Sequence, residues 1–502
     1  MEATNRPPRS RVLHVTPELA PLVKLGGLGD VAGSLPRALR EDGVDCRALL
    51  PAYPGVLDRV HDLGLPCRRV PQNLHVALNW RVYSGRLWRT DLDGVPVYLL
   101  EQPELFTDPQ VYPGSMTCET VLPFLFLGAA ALELAGAARW KPQILHLHDW
   151  PASTASVLLK WHRHYHRLAE EYDTVLTIHN LAHQGIVAHT GLDGWGFPKT
   201  CFSIEGLEFY GHVNLLKGGI LAADAITTVS PRYSWDVQTH DGGMGLEGVL
   251  YASRGKLRGI LNGIDYRIWN PAADPLIPAP YSAQDLAGKA TCREELLRTC
   301  GWSAEGGPLL VFIGRLVEQK GIDLILASLD RLLAEGNRVV LIGSGHPLFR
   351  DRVSAAAQRH PGRMWTFTDF DERVAHQAYA GGDLLLMPSL FEPCGLSQLI
   401  SMAYGTIPVA RATGGLADTV IDADGSPDGT GFLFLDYDPG ELIQAVRRAA
   451  NAMGDPVRWG QIQQRAMTAD FSWAQSARAY EDLYQDLLGY GPEEDFYREE
   501  SP

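Results

Sequence analysis

The chain has 502 residues, 45% of them hydrophobic and 21% charged, with a formal net charge of −15. The composition is that of a globular protein. The length exceeds the about 250–300 residues at which a single core stops growing, so two or more domains are expected, and the acidity speaks against sequence-independent binding to nucleic-acid phosphates.

The cysteines, Cys46, Cys67, Cys118, Cys201, Cys292, Cys300 and Cys394, are odd in number and lack Cys-x-x-Cys spacing. That predicts reduced thiols and no zinc cage. Met1 to Ser10 has no apolar signal core, and no uninterrupted apolar run reaches the ~20 residues of a membrane span. A soluble cytoplasmic protein with no membrane partner is expected.

In chain order, Val12 to Val15 reads as a strand. A loop follows with Pro17, Glu18, Pro21 and Lys24-Leu25-Gly26-Gly27-Leu28-Gly29-Asp30. Leu28, Val31, Leu35 and Leu39 at helical spacing predict a helix closed by Gly43, and Cys46 to Leu50 the next strand. Strand, glycine-rich loop, helix and strand make half of a doubly wound sheet. The glycines permit close approach of backbone to a ligand, and Lys24 adds charge. The pattern is neither Gly-x-Gly-x-x-Gly nor a Walker loop, and a tight turn with a solvated lysine accounts for it equally well.

Residues 55–120 carry alternating segments, Leu74 to Val82 and Val95 to Leu99, expected as strands of a hairpin-rich insertion. A helix is expected from Val121 to Ala138. Ile144 to Trp150 is an apolar strand ending in His-Asp-Trp. His146 and His148 share a face of it, which makes a metal site conceivable, but no third ligand stands at a suitable spacing, and a solvated or hydrogen-bonded pair is the expectation. Thr174 to Ile178 is a strand ending in His179-Asn180. No carboxylate or serine here has the features of an activated nucleophile. Four prolines from Pro271 to Pro280 mark a linker, and a polar helix is expected from Ala283 to Cys300.

The second half restarts with the strand Leu309 to Ile313, which delivers Arg315 and Lys320 on the loop before a helix. Two cations there suit a leaving diphosphate; solvated surface cations are the ordinary alternative. Val339 to Ser344 is the next strand. Leu384 to Met387 reads as a buried parallel strand. It runs into a loop with Glu392, Cys394 and Gly395, a helix from Leu396 to Tyr404 closed by Gly405, a strand from Ile407 to Ala410, and Thr413-Gly414-Gly415. In open α/β sheets ligands bind at the carboxyl ends of strands, and helix N-termini suit phosphate. An acid beside a helix start therefore points to a ligand with hydroxyls at one end and phosphates at the other, such as a nucleotide sugar. A lone glutamate would read as part of a capping turn. Trp473, Ala477, Tyr480, Tyr484 and Leu487, at helical spacing, predict an amphipathic last helix packed on a core.

Phe391-Glu392-Pro393-Cys394-Gly395-Leu396, Tyr404-Gly405-Thr406 and Thr413 to Val420 closely resemble the C-terminal signature of bacterial glycogen synthases and plant starch synthases. Lys24 to Leu28 resembles their N-terminal Lys-x-Gly-Gly-Leu motif, and Leu215 to Ile220, Gly243 to Gly248 and Leu261 to Asp265 are similar to further family segments. The resemblance implies an α/β chain of GT-B glycosyltransferase fold, two Rossmann-like domains facing across a cleft. Residues 1–270 would form the acceptor-side domain and residues 271–472 the nucleotide-sugar domain. Residues 473–490 would form a helix crossing back to the first domain, and residues 491–502 a disordered tail.

The activity it implies is retaining transfer of glucose from ADP-glucose, a co-substrate, to the non-reducing end of an α-1,4-glucan such as glycogen or a maltooligosaccharide. No cofactor and no metal are expected. By resemblance Lys24, Gly26 and Gly27 face the phosphates and the glucose, with Asp30 in the same site. Asp149 contacts sugar hydroxyls, and His179 lies near the anomeric centre with Asn180 beside it. Asn262 lies near the sugar. Arg315 and Lys320 stabilise the leaving diphosphate and Glu392 holds the sugar. Cys394, Gly395, Leu396, Ser397, Gly414 and Gly415 line the substrate site, and Phe370 stacks on adenine. Pro151 and His183 depart from the family pattern, which usually has His and Tyr there. A related transferase using UDP-glucose or another acceptor stays open, as does a non-catalytic glucan binder.

Overall fold

The computed structural model describes residues 10–108, 110–304, 306–369 and 371–489. They form two compact units. One runs to Val229 and adds Val237–Ile260 and the chain from Trp473; the other consists of Ser230–Asp236 and Leu261–Ser472.

The first unit holds a ten-stranded sheet. Its parallel part has the order Leu257–Gly259, Ala225–Thr228, Asp173–Ile178, Ile144–His148, Arg11–Val15, Asp45–Pro51, Val95–Glu101. Arg81–Leu92 extends it antiparallel and pairs in turn with Arg68–Arg69 and Leu74–Leu78. Leu74 to Val82 is therefore a hairpin and not one strand. Asn79, with a left-handed φ of 55°, turns the chain. The buried positions pass from even (Leu74, Val76, Leu78) to odd (Tyr83, Gly85, Leu87) across the turn, while the apolar alternation of the sequence runs on through Trp80 and Val82, which are exposed.

Arg11–Val15 lies at the centre. The chain leaves it to one side through Asp45–Pro51 and Val95–Glu101, then returns on the other side at Ile144–His148. The connections diverge there, which opens a crevice at the carboxyl ends of these two strands. The second unit repeats this logic with six parallel strands, ordered Met364–Phe367, Arg338–Ile342, Leu309–Ile313, Leu384–Met387, Ile407–Arg411, Phe432–Phe434. Its order reverses between Leu309–Ile313 and Leu384–Met387. Both strands are near-continuously apolar and buried, as parallel strands covered on both faces must be.

The helix Cys118–Ala138 is long and apolar enough to span a membrane by composition, yet 61% of its apolar stretch is buried in the first unit. It packs on the helix Asp149–Trp161. Gly128 makes the approach possible, since a Cβ there would lie 2.4 Å from Thr154 Oγ1. Thr154 Oγ1 donates to the Phe124 carbonyl at 2.8 Å, fixing the helix that starts at Asp149.

The last helix, Trp473–Leu487, buries Trp473, Ala477, Tyr480, Leu483 and Tyr484 against Val31, Leu35 and Leu39 of the helix Gly27–Glu41 and against Val12 and Ile144 of the sheet. The sequence puts a boundary at 270/271, whereas the units divide at Ile260/Leu261. Ile264, Ile277 and Tyr281 pack into the second unit's core, and the Ile264 N–H donates to the Phe471 carbonyl at 2.8 Å. Residues 230–236 join that unit because Ser230 Oγ donates to the Pro393 carbonyl at 2.7 Å and the Arg232 N–H to Asp418 at 2.7 Å. Phe370 and residues 491–502 lie outside the described residues.

Candidate active site

In the first unit the crevice is walled by the segments that leave Val15 and His148. Glu18, buried after the central strand, organises the glycine-rich loop. Its Oε2 accepts the N–H groups of Leu25 at 2.6 Å and Gly26 at 3.0 Å, and its Oε1 accepts the Tyr112 hydroxyl at 2.7 Å. The Gly26 amide is thus already taken by a carboxylate within the unit. Gly26 caps the helix that begins at Gly27. Lys24 pairs with Asp30 at 2.7 Å, and both side chains are more than 30% exposed. Such a pair contributes at most about 1 kcal/mol, so a phosphate can replace it.

Asp149 opens its helix in a left-handed conformation, φ 57°, which Asp tolerates better than most residues. Its Oδ1 accepts the His179 N–H at 2.7 Å. Burial pushes its carboxyl up to about 7; the Glu18 charge adds to the rise, while the backbone hydrogen bonds of His179 and Asn180 oppose it. Asn180 turns its Oδ1 onto the Ala182 N–H at 3.1 Å. Burial, then the charges of Glu18 and Asp149, raise the Tyr112 phenol, so Tyr112 belongs to the same group. The two departures from the family pattern fit locally. Pro151 sits buried in the first turn of its helix, where no N–H is missed. His183 stacks on Tyr112, ring planes 12° apart and centroids 6.4 Å.

Behind His179 the sheet face under the last helix is polar. His14 is in register with His146, and the ligand atoms of His14, His146 and His148 lie within 4.8 Å of one another. The third imidazole that spacing did not reveal is His14. Both nitrogens of His146 are engaged, Nδ1 with Tyr484 and Nε2 with Thr177, each at 2.6 Å. Both nitrogens of His148 are engaged too, with His14 and His179, each at 2.9 Å. Burial lowers all four imidazoles, His148 to about 3, so the rings are neutral at pH 7.

In the second unit the loops leaving the two strands at the order reversal are tied together. Lys320 Nζ meets Glu392 Oε2 at 2.6 Å, and Ser389 Oγ donates to the same oxygen at 3.1 Å. The Leu390 N–H donates to the Gln319 carbonyl at 2.9 Å. Gly321 permits this, since a Cβ there would lie 2.1 Å from the Pro388 carbonyl oxygen. Arg315 is exposed at the start of the same loop.

Cys394 is buried beside the Asn262 backbone, and burial pushes its thiol up to about 12, too high for a nucleophile. Asn262 Oδ1 is buried without a hydrogen-bond partner among the described residues. Gly395 has φ 75°, and Gln398 Nε2 braces the loop through the carbonyls of Cys394 at 3.0 Å and Gly395 at 2.8 Å. Leu396 caps the short helix Ser397–Ala403, and Ser397 Oγ donates to the Ile313 carbonyl at 3.3 Å.

The amides of Gly414 and Gly415 are not free for a ligand. Gly414 N–H donates to Asp236 at 3.1 Å and Gly415 N–H to the Glu392 carbonyl at 3.0 Å. These glycines serve sterically, because a Cβ would lie 2.0 Å from the Glu392 oxygen at Gly414 and 2.2 Å from the Cys394 oxygen at Gly415.

Sequence reasoning missed Glu18, Tyr112, His14, Ser389 and Gln398. Glu18 alone carried a signal, as an acid on the loop at the carboxyl end of the first strand.

Residues 11–252 match the family described as starch synthase catalytic domain, and residues 301–465 match glycosyl transferases group 1. A glycogen synthase of Anaeromyxobacter sp. (strain Fw109-5) is 44% identical over 95% of this chain and 99% of that protein. One of Halorhodospira halophila is 43% identical over 95% of this chain and 99% of that protein. Among solved structures, the catalytic domain of Starch Synthase IV from Arabidopsis thaliana, bound to ADP and acarbose, superposes with a TM-score of 0.89 at 34% identity, covering 96% of this chain and all of that one.

Proposed function

The chain belongs to the glycogen synthase and starch synthase family of glycosyltransferases, with the GT-B fold, and on that premise we propose that it transfers glucose from ADP-glucose to the non-reducing end of an α-1,4-glucan with retention of configuration. The observation that carries the reading is the Lys320–Glu392 pair, held at the second unit's order reversal. It sets a cation where a diphosphate can leave beside an acid that can hold a sugar.

In this reading the acceptor 4-hydroxyl attacks the anomeric carbon from the face the diphosphate is leaving. The bond from carbon to the phosphate oxygen breaks as the new glycosidic bond forms, and the hydroxyl proton passes to the departing phosphate. The products are ADP and a glucan one residue longer. Arg315, Lys320 and the first amides of the helix at Ser397 take up the developing negative charge. Asp149, His179 and Glu392 hold the sugar through an oxocarbenium-like state. Glu392 is engaged by Lys320 and Asp149 by backbone N–H groups, which supports sugar-holding roles over the two-carboxylate scheme of most glycosidases. No metal takes part in this scheme, so turnover should be unchanged by a chelator.

The test is incorporation of labelled glucose into glycogen from ADP-glucose and from UDP-glucose, run side by side. Transfer from ADP-glucose alone is expected. Transfer from UDP-glucose alone overturns the donor, and no transfer from either by folded, glycogen-binding protein overturns the enzyme.

A further inference from the structure

Sugar holding by His179 leaves unused the two imidazoles in line behind it. His179 Nε2 lies 2.9 Å from His148 Nδ1, and His148 Nε2 lies 2.9 Å from His14 Nδ1. The line ends at His14 Nε2, which is buried with no hydrogen-bond partner among the described residues. His14 and His148 are fully buried and His179 nearly so. The neighbouring groups are Asp149 on the His179 backbone, Glu18 and Tyr112 beyond it, and on the helix side His146, Thr177, Thr227, Tyr480 and Tyr484.

A neutral imidazole carries one N–H and one lone pair, so the line can run in two directions. In one, His14 Nδ1–H donates to His148 Nε2 and His148 Nδ1–H donates to His179 Nε2, which leaves the proton of His179 on Nδ1. In the other, His179 Nε2–H donates to His148 and His148 Nε2–H donates to His14. The proton of His14 is then stranded on Nε2, where the described residues offer no acceptor. A buried N–H without an acceptor is the rarer and costlier outcome. The first direction leaves only an unused lone pair at that place.

We propose that His148 and His14 are positioning residues that hold His179 as the tautomer protonated on Nδ1, so that this nitrogen meets the sugar as a hydrogen-bond donor. The proposal rests on the reading of His179 as a sugar-holding residue. It explains why an otherwise apolar parallel strand ends in His148, with His14 beside it on the neighbouring strand. Neither His14 nor His148 touches substrate.

The experiment uses the full chain with isotope-labelled imidazole nitrogens. His179 is assigned by the signal lost in His179→Asn, and its tautomer is read from the two nitrogen shifts near neutral pH. Protonated Nδ1 with bare Nε2 is expected; protonated Nε2, or a cationic ring, overturns the proposal. His148→Leu removes the donor and should give a mixture of tautomers at His179, with kcat lower by roughly tenfold or more and donor KM changed much less. His148→Asn sets an amide near the former Nδ1 and should restore both the tautomer and most of kcat. An unchanged tautomer and kcat in His148→Leu overturn the proposal. If that variant does not fold, the wild-type tautomer decides alone. Wild-type turnover in His179→Asn would overturn the site reading, and the tautomer measurement would still show whether the line directs the proton.

Discussion

Lys320 and Glu392 meet at 2.6 Å although they stand on loops leaving two different strands, Leu309–Ile313 and Leu384–Met387. Glu392 is only 5% exposed and Lys320 19%, so neither charge has much water to fall back on. Removing one partner of a buried pair typically costs about 3–5 kcal/mol.

Lys320→Ala should lower kcat by far more than about tenfold, since it deletes a charge aimed at the leaving group. Glu392→Ala should abolish transfer while ADP still binds. Steady-state kinetics with labelled donor and calorimetric titration with ADP check both. Near-normal kinetics in Lys320→Ala would remove its assigned role.

Glu18→Ala frees two loop amides and the Tyr112 hydroxyl at once. Each lost charge-assisted bond is worth about 1.5–3 kcal/mol. The loop should loosen, raising donor KM and speeding tryptic cleavage after Lys24. Unaltered cleavage at that bond would show that the loop holds its shape without the carboxylate.

Gly415→Ala puts a methyl group 2.2 Å from the Cys394 carbonyl oxygen. The loop bearing Glu392 must move, so kcat should collapse and the melting temperature fall. Gly395→Ala is a milder case, since its Cβ would meet the end of the flexible Gln398 side chain, although its φ of 75° still strains the variant. Equal losses in the two variants would argue against the steric account.

Asp149 has a carboxyl pushed up to about 7 by burial, against about 3.9 in an unfolded chain. Between these values the unfolded state is ionised and the folded state holds the proton. Stability from this group is therefore full at low pH and is lost as pH rises from about 4 to about 7, on the order of 4 kcal/mol. Relative to Asp149→Asn, the unliganded wild type should lose stability across that window and change no further above it. Denaturation followed across pH checks this; a flat difference would mean that Asp149 is ionised throughout.

The parallel strands were legible because burial on both faces writes them as apolar runs, as in Leu309–Ile313 and Leu384–Met387. The glycine loops were legible because close backbone contact excludes every other residue at Gly414 and Gly415. What stayed hidden depends on contacts distant in sequence. Glu18 gains its role from Tyr112 and His14 from His148, and no spacing announces either pair. The turn inside Leu74 to Val82 was missed because Trp80 and Val82 continue the apolar alternation although both are exposed. Residues 230–236 are tied to the second unit by the bonds from Ser230 and Arg232 and by the Gly414 N–H on Asp236, contacts that no local pattern announces.

The helix Trp473–Leu487 roofs a sheet whose strands lie almost entirely before Ile260. A ribosome makes the walls of this unit first and its roof last, after the whole of the other unit has emerged. Until then His146 lacks Tyr484, and the apolar side of Gly27–Glu41 faces water. A fragment ending at Ile260 is therefore an unfinished core rather than a domain. A peptide spanning residues 473–487, supplied separately, is the piece that would complete it.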